Sequence, residues 1–210
     1  MGSELTERLE PGTLLELVRC SLELQAGHLE SAAVTLRALV HRGTNPRALR
    51  EWALQLLIFD GYPTTIEALR LLMEALPPEL ALELAHEDLE SPDADTRRGE
   101  ELFARVYGPH APIVKAALGA RSTLLLRWIL EHGYGRVLSR PDLAAADREL
   151  LAVCILARKG WRQQLRAHLR GAHSCGARRD ELEQVLGVAC SDTGLLDESL
   201  KLVERICKAE

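Results

Sequence analysis

The chain has 210 residues and carries 26 Lys+Arg against 31 Asp+Glu, a formal net charge of -5 with acids and bases interspersed. That balance argues against a phosphate-binding surface and so against a nucleic-acid partner. Apolar residues make up 47% of the sequence and aromatics only 4%, so a core must be built from Leu, Ala, Val and Ile. Such a core suits packed helices better than a sheet. No apolar run approaches the roughly 18 residues of a spanning helix, so no membrane segment is expected. The five cysteines (Cys20, Cys154, Cys175, Cys190, Cys207) are odd in number and scattered. Together with an N-terminus unlike a signal peptide, they lead us to expect a reducing, cytoplasmic setting.

Helical periodicity and helix punctuation run nearly end to end. Helices are predicted over Thr13–Ala26 and His28–Arg42, closed by Gly27 and Gly43. Asn45-Pro46 opens a third that runs to Phe59, and Pro63 opens a fourth that stops before Pro77-Pro78. A short helix follows to about His86, and Ser91-Pro92-Asp93-Ala94-Asp95 reads as a linker. Beyond it come helices near Thr96–Tyr107, Pro112–Leu118 and Thr123–His132, then an irregular stretch from Gly133 to Pro141. Helices near Leu143–Arg158, Trp161–Cys175, Arg179–Cys190 and Leu196–Cys207 complete an all-α chain.

The two halves are related by a constant shift of 133 positions. It superposes Glu149 on Glu16, Gly160 on Gly27, Gly176 on Gly43 and Gly194 on Gly61. It also places Leu169-Arg170 on Leu36-Arg37 and Leu182 on Leu49. Registering three glycine stops is rare for two unrelated Leu/Ala-rich segments. An internal duplication is therefore expected, with repeats over 1–90 and 91–210.

One constellation stands out. Glu149 begins an unbroken apolar run, Leu150 to Ala157, too wide for a surface helix. His168 lies on the next helix, beyond the turn at Gly160. At about 1.5 Å per residue, the two side chains fall at levels differing by roughly 4–5 Å across an antiparallel hairpin. Trp161, Leu165, His168, Ala172 and Cys175 share one stripe, which points His168 inward. Buried near each other, a carboxylate and an imidazole suit proton transfer. The same residues equally suit a hydrogen-bonded core histidine and a helix-start acid. His168, His173 and Cys175 fit no common zinc spacing, so no metal is expected. No glycine-rich phosphate loop is present, and Arg158-Lys159 and Arg178-Arg179 are short basic pairs at helix ends.

Tyr134-Gly-Arg-Val-Leu-Ser-Arg-Pro141, Arg148-Glu149-Leu150 and Gln164-Leu-Arg-Ala-His168-Leu-Arg-Gly-Ala172 together resemble the carboxymuconolactone decarboxylase family. His132-Gly133-Tyr134-Gly135, Gly176 and Asp180-Glu181 fit its pattern as well. The resemblance is good over 125–189 and weak in the first half. It implies an alkylhydroperoxidase-like (AhpD-like) helical bundle built from two tandem repeats, assembled as a homotrimer. One branch of that superfamily carries Glu, eleven residues, Cys-x-x-Cys, three residues, His. Counted from Glu149, the cysteine positions hold Trp161 and Gln164, and the histidine position holds His168; from Glu16 they hold His28, Ser31 and Thr35. The chain contains no Cys-x-x-Cys, which disfavours dithiol peroxidase chemistry.

The decarboxylase branch lacks the thiol pair too. Its chemistry implies a cofactor-independent acid/base lyase acting on a small carboxylated lactone. The expected catalytic residues are His168, Glu149 and His132. Arg148, Arg136, Trp161 and Gln164 are the expected substrate contacts, with Arg140 and Arg166 as further cationic candidates. Two other readings stay open: a non-catalytic helical oligomeric scaffold, and a thiol peroxidase using a lone cysteine such as Cys154 or Cys175.

Overall fold

A computed structural model describes residues 7–86, 92–190 and 194–208; for 92–94 only the backbone is described. Among the described residues there is no strand. Twelve α-helices follow in order: α1 Pro11–Gln25, α2 Leu29–His41, α3 Pro46–Phe59, α4 Tyr62–Ala75, α5 Pro78–Ala85, α6 Pro92–Tyr107, α7 Ala111–Arg121, α8 Thr123–Trp128, α9 Ala145–Arg158, α10 Arg162–Ser174, α11 Arg179–Ala189 and α12 Leu196–Cys207. A short 3-10 turn, Gly108–His110, joins α6 to α7, and a π-helix, Ile129–Leu138, extends α8.

Two sequence expectations change here. The linker expected at 91–95 is the first turn of α6 from Pro92 onward, while Ser91 lies outside the described residues. Proline suits a first helical turn, where its missing N–H has no intrahelical partner to lose. Asp95 is buried there and takes Arg98 Nη2 at 2.7 Å and Arg136 Nε at 2.9 Å. The stretch expected to be irregular from Gly133 is hydrogen-bonded as a wide π-turn as far as Leu138. Glycine is needed where this segment crosses α6. A Cβ on Gly135 would sit 2.3 Å from the Asp95 carbonyl oxygen, and one on Gly99 would sit 2.0 Å from that of Leu130.

The ends of α1 and α2 recur in α9 and α10 at the 133-residue shift, to within a residue. At the α1–α2 turn, Gly27 N donates to Leu24 O and His28 N to Glu23 O. At the α9–α10 turn, Gly160 N donates to Ala157 O and Trp161 N to Leu156 O. His28 and Trp161 adopt nearly the same backbone (φ -83, ψ 65 and φ -80, ψ 70). The ends of α2 and α10 match likewise, with Thr44 N donating to Leu39 O and Ala177 N to Ala172 O. These are Schellman closures, in which a left-handed residue after the cap returns two N–H groups to the last turn. Gly27, Gly43, Gly160 and Gly176 supply it, with φ between +67 and +98. Gly194, paired with Gly61 by the same shift, does not share the positive φ of Gly61.

One apolar cluster runs through both sets of helices, from Leu14, Leu36 and Trp52 to Leu150, Leu169 and Val203. At its centre lies α9, on which every residue from Ala146 to Ala157 is buried, as its continuous apolar run predicts. Helices α1, α3, α10 and α11 pack around it. A second cluster, Phe103, Val106, Ala111, Leu130, Tyr134, Val137 and Leu138, joins α6 to α7 and the π-helix. No helix among the described residues is long and apolar enough to cross a membrane.

Candidate active site

Glu149 and His168 meet across the α9–α10 hairpin. His168 Nδ1 and Glu149 Oε2 are 2.9 Å apart, with side-chain exposures of 12% and 5%. An ionised Glu149 accepts from Nδ1–H in this geometry, and Nε2 is then the nitrogen that can exchange a proton. Phe59, at the end of α3, meets the imidazole edge-on with ring centroids 5.2 Å apart. Gly171, level with Glu149 across the hairpin and one turn past His168 on α10, makes room for the carboxylate: a Cβ there would sit 2.5 Å from Glu149 Oε2 and 2.7 Å from Val106 Cγ1.

Tyr134 of the π-helix and Tyr107 at the end of α6 close this region. They are hydrogen-bonded to each other, and Phe103 packs on both at centroid distances of 5.0 and 4.4 Å. Burial pushes the Tyr134 phenol well up, and the nearby Tyr107 and Glu149 add to the rise. Burial also raises Tyr107, although its hydrogen bond with Tyr134 works the other way. Both phenols stay neutral donors near pH 7. Cys175 is half-buried in the same region; burial and the Glu149 charge push its thiol up to about 11. Cys154 is fully buried and its thiol is raised further, again by burial, while Cys20 is pushed up to about 12. Thiols in that range hold almost no thiolate near neutrality, which takes support from peroxide reduction by a lone cysteine.

The other sequence candidates lie elsewhere. Arg148 is buried away from the dyad, donating from Nε to Leu143 O at 3.1 Å and from Nη2 to Glu51 Oε2 and Arg140 O, both at 3.0 Å. Burial pushes its guanidinium down and the charge of Glu51 opposes that. Glu51, with no exposed surface, also takes Arg140 and Arg50. Arg148 thus holds the π-helix exit against α3 rather than facing solvent as a substrate contact. Arg136 is exposed but tied to Asp95. His132 is exposed on the π-helix, and Trp161 and Gln164 are exposed on the first turn of α10. The helical stripe predicted for α10 holds at Leu165, His168 and Ala172 and fails at Trp161, which is 56% exposed as the N-cap residue. Among the described residues, no group of three or more His, Cys, Asp or Glu is placed to hold a metal ion.

Sequence reasoning missed Phe59, Phe103 and Tyr107 as neighbours of the dyad, and read Tyr134 only as part of a motif. A signal existed: the chain has two phenylalanines and three tyrosines, and both of the former and two of the latter gather here. In an aromatic-poor chain such a concentration is informative.

The sequence profile of the Carboxymuconolactone decarboxylase family matches residues 124–203, the stretch from α8 through most of α12 that contains both members of the dyad. Over this segment the chain is similar to that family. The chain is also similar to peroxisomal protein 2 of Schizosaccharomyces pombe, 28% identical over 162 residues, which is 75% of either chain. Within the matched segment, the two positions that the resemblance gives to a thiol pair hold the exposed Trp161 and Gln164, and Glu149 and His168 are in contact.

Proposed function

We propose that the protein is a cofactor-independent acid/base enzyme of the carboxymuconolactone decarboxylase type, in which His168 transfers the proton and Glu149 orients it. The 2.9 Å contact between a nearly enclosed carboxylate and a partly exposed imidazole carries this reading. In decarboxylation of a carboxylated lactone, the bond to the carboxylate breaks and CO2 leaves. The electron pair stays on the carbon conjugated to the lactone carbonyl, and that carbon takes a proton. His168, once it has taken a proton from solvent at Nε2, delivers it to that carbon and returns to the neutral imidazole, while Glu149 on Nδ1 orients the ring and stabilises the imidazolium. The experiment is turnover of γ-carboxymuconolactone by the full chain, followed spectrophotometrically. The expected result is turnover that His168→Gln lowers by about 10²–10⁴-fold. Absence of turnover, or turnover unchanged by His168→Gln, would overturn the reading.

A non-catalytic scaffold is the second reading, and the engagement of Arg148, Arg140 and Arg136 by Glu51 and Asp95 favours it. It expects His168→Ala to change no assay except stability. On either reading the chain is a tandem duplication with repeats at 1–90 and 91–210. The recurrence of four helix starts, and of the closures of the first two helices, at one shift supports this. The two repeats would share one core rather than stand as separate bodies. Self-association, as a trimer, belongs to the same proposal. The exposed Ile113, Leu124, Leu125 and Trp128 of α7 and α8 support it, with 45–70% of each in solvent, and sedimentation of the purified chain tests it. The compartment is proposed as cytoplasmic or, given the relative's name, peroxisomal; imaging of a fluorescent fusion decides between them.

A further inference from the structure

A cavity of about 490 Å3 lies beside the dyad but apart from it. On α10 its lining residues include Arg166, Ala167 and Arg170, about a third of a turn round the helix from His168 and Gly171. Its floor is apolar, formed by Val106, Val114, Leu202 and Ile206 from α6, α7 and α12. Arg166, Arg170 and Arg205 also line it, each with an exposed side chain. Among the described residues its lining contains no aspartate or glutamate. Acids outnumber bases over the whole chain, so three guanidiniums without a lining carboxylate make a local reversal of charge. The volume falls within the range of small-molecule sites, roughly 300–1,000 Å3.

We propose that this cavity binds an apolar monocarboxylate, a medium-chain or arylalkyl acid. Its hydrocarbon body is removed from water against Val106, Val114, Leu202 and Ile206. Its carboxylate is held at the mouth by the arginine forks. Guanidinium matches the planar, two-oxygen geometry of a carboxylate and is less strongly hydrated than an ammonium, so it exchanges water for ligand at lower cost. Charge on the rim selects the anionic end, and the apolar floor rejects small hydrophilic anions, which gain nothing from it. Tyr107 lines the cavity and is hydrogen-bonded to Tyr134, so the site abuts the wall of the dyad region without including either dyad residue.

The test is titration calorimetry of the full chain with octanoate and with 1-octanol, which share a body and differ in charge. Octanoate is expected to saturate one site per chain and to bind at least about tenfold more tightly than 1-octanol, since a charge-assisted contact of this kind is worth about a factor of ten or more. The Arg166→Gln/Arg170→Gln double variant should lose about tenfold or more in octanoate affinity and leave 1-octanol binding unchanged. Arg205→Gln gives an independent arm, and circular dichroism checks the fold of each variant. His168→Gln should bind octanoate as the unaltered chain does, which separates this site from the proposed proton-transfer site. Equal affinity for octanoate and 1-octanol, octanoate affinity unchanged in the arginine variants, or no saturable binding would each overturn the proposal. So would octanoate affinity abolished by His168→Gln alone.

Discussion

The turns that close α1 and α2 recur at α9 and α10, yet only the second pair of helices holds a dyad. Glu16 and Glu149 occupy corresponding positions on α1 and α9. Glu16 is 32% exposed and pairs with Arg42, whose own side chain is 48% exposed. Glu149 is 5% exposed and pairs with His168. The shift that relates the two helices brings Arg42 onto Cys175, Thr35 onto His168 and Ala38 onto Gly171. In the first set, then, the acid meets a long cation at the surface, whereas in the second a glycine lets it press into the hairpin. Helix α6 and the π-helix supply the rest, because Val106 lies beside Glu149 at Gly171 and the buried Tyr107 and Tyr134 are near enough to feel its charge. The same carboxylate on the same turn becomes a solvated ion in one place and a buried hydrogen-bond acceptor in the other. Its neighbours decide which.

The largest effect tests the joint between the two sets. Glu51→Leu leaves the buried Arg148 and the partly buried Arg140 without their carboxylate, and a loss of about 3–5 kcal/mol is expected in urea denaturation. A change below about 1 kcal/mol would show that these arginines find other partners. Leu36→Ala and Leu169→Ala probe the common frame directly, since both leucines are fully buried at corresponding positions. Each should cost about 2–5 kcal/mol in the same measurement, and sharply unequal losses would break the equivalence.

Gly171→Ala and its mirror, Ala38→Gly, sharpen the contrast. The first forces Glu149 and Val106 apart and is expected to cost about 1–3 kcal/mol through overpacking, partly offset by up to about 1 kcal/mol of helix propensity. The second should cost only about 0.5–1 kcal/mol, because Ala38 is exposed and glycine merely weakens the helix. Glu16→Gln removes a solvated ion pair, so a change of at most about 1 kcal/mol is expected, shrinking further in high salt.

The smallest effect is on the acid side. Burial opposes ionisation of Asp60, but hydrogen bonds from Lys159, Thr64 and Gln25 outweigh it and hold the carboxyl below its ordinary 3.8. A carboxyl lowered on folding contributes stability above its unfolded value and loses it as pH falls through the folded one. Asp60→Asn should therefore flatten the fall in melting temperature below about pH 4 and act as a constant offset near pH 7. An unaltered acid limb would show that Asp60 does not link the ends of α1, α3 and α9.

Much of the frame was legible in the residues themselves. Gly27, Gly43, Gly160 and Gly176 mark helix stops because a left-handed residue is nearly forbidden to side chains with a Cβ, and each of the four adopts it. The run from Leu150 to Ala157 announced a covered helix, since no solvent-facing helix is apolar all round. Even the Glu149–His168 contact followed from rise per residue about Gly160. The π-helix did not follow, because two glycines and a following proline look like a loop when only local chemistry is read. Nothing local about Arg148 announced that Glu51, 97 positions earlier, would take it.

The sequence by itself therefore determined the helical class, the punctuation and the pairing of one acid with one imidazole, all of which depend on residues close along the chain. Tertiary structure alone decided which acid is buried, which arginines are consumed, and where a cavity remains. Those outcomes depend on long-range packing, in which a Cβ at Gly171 or Gly99, or a carboxylate at Glu51, changes what two distant helices can do to each other.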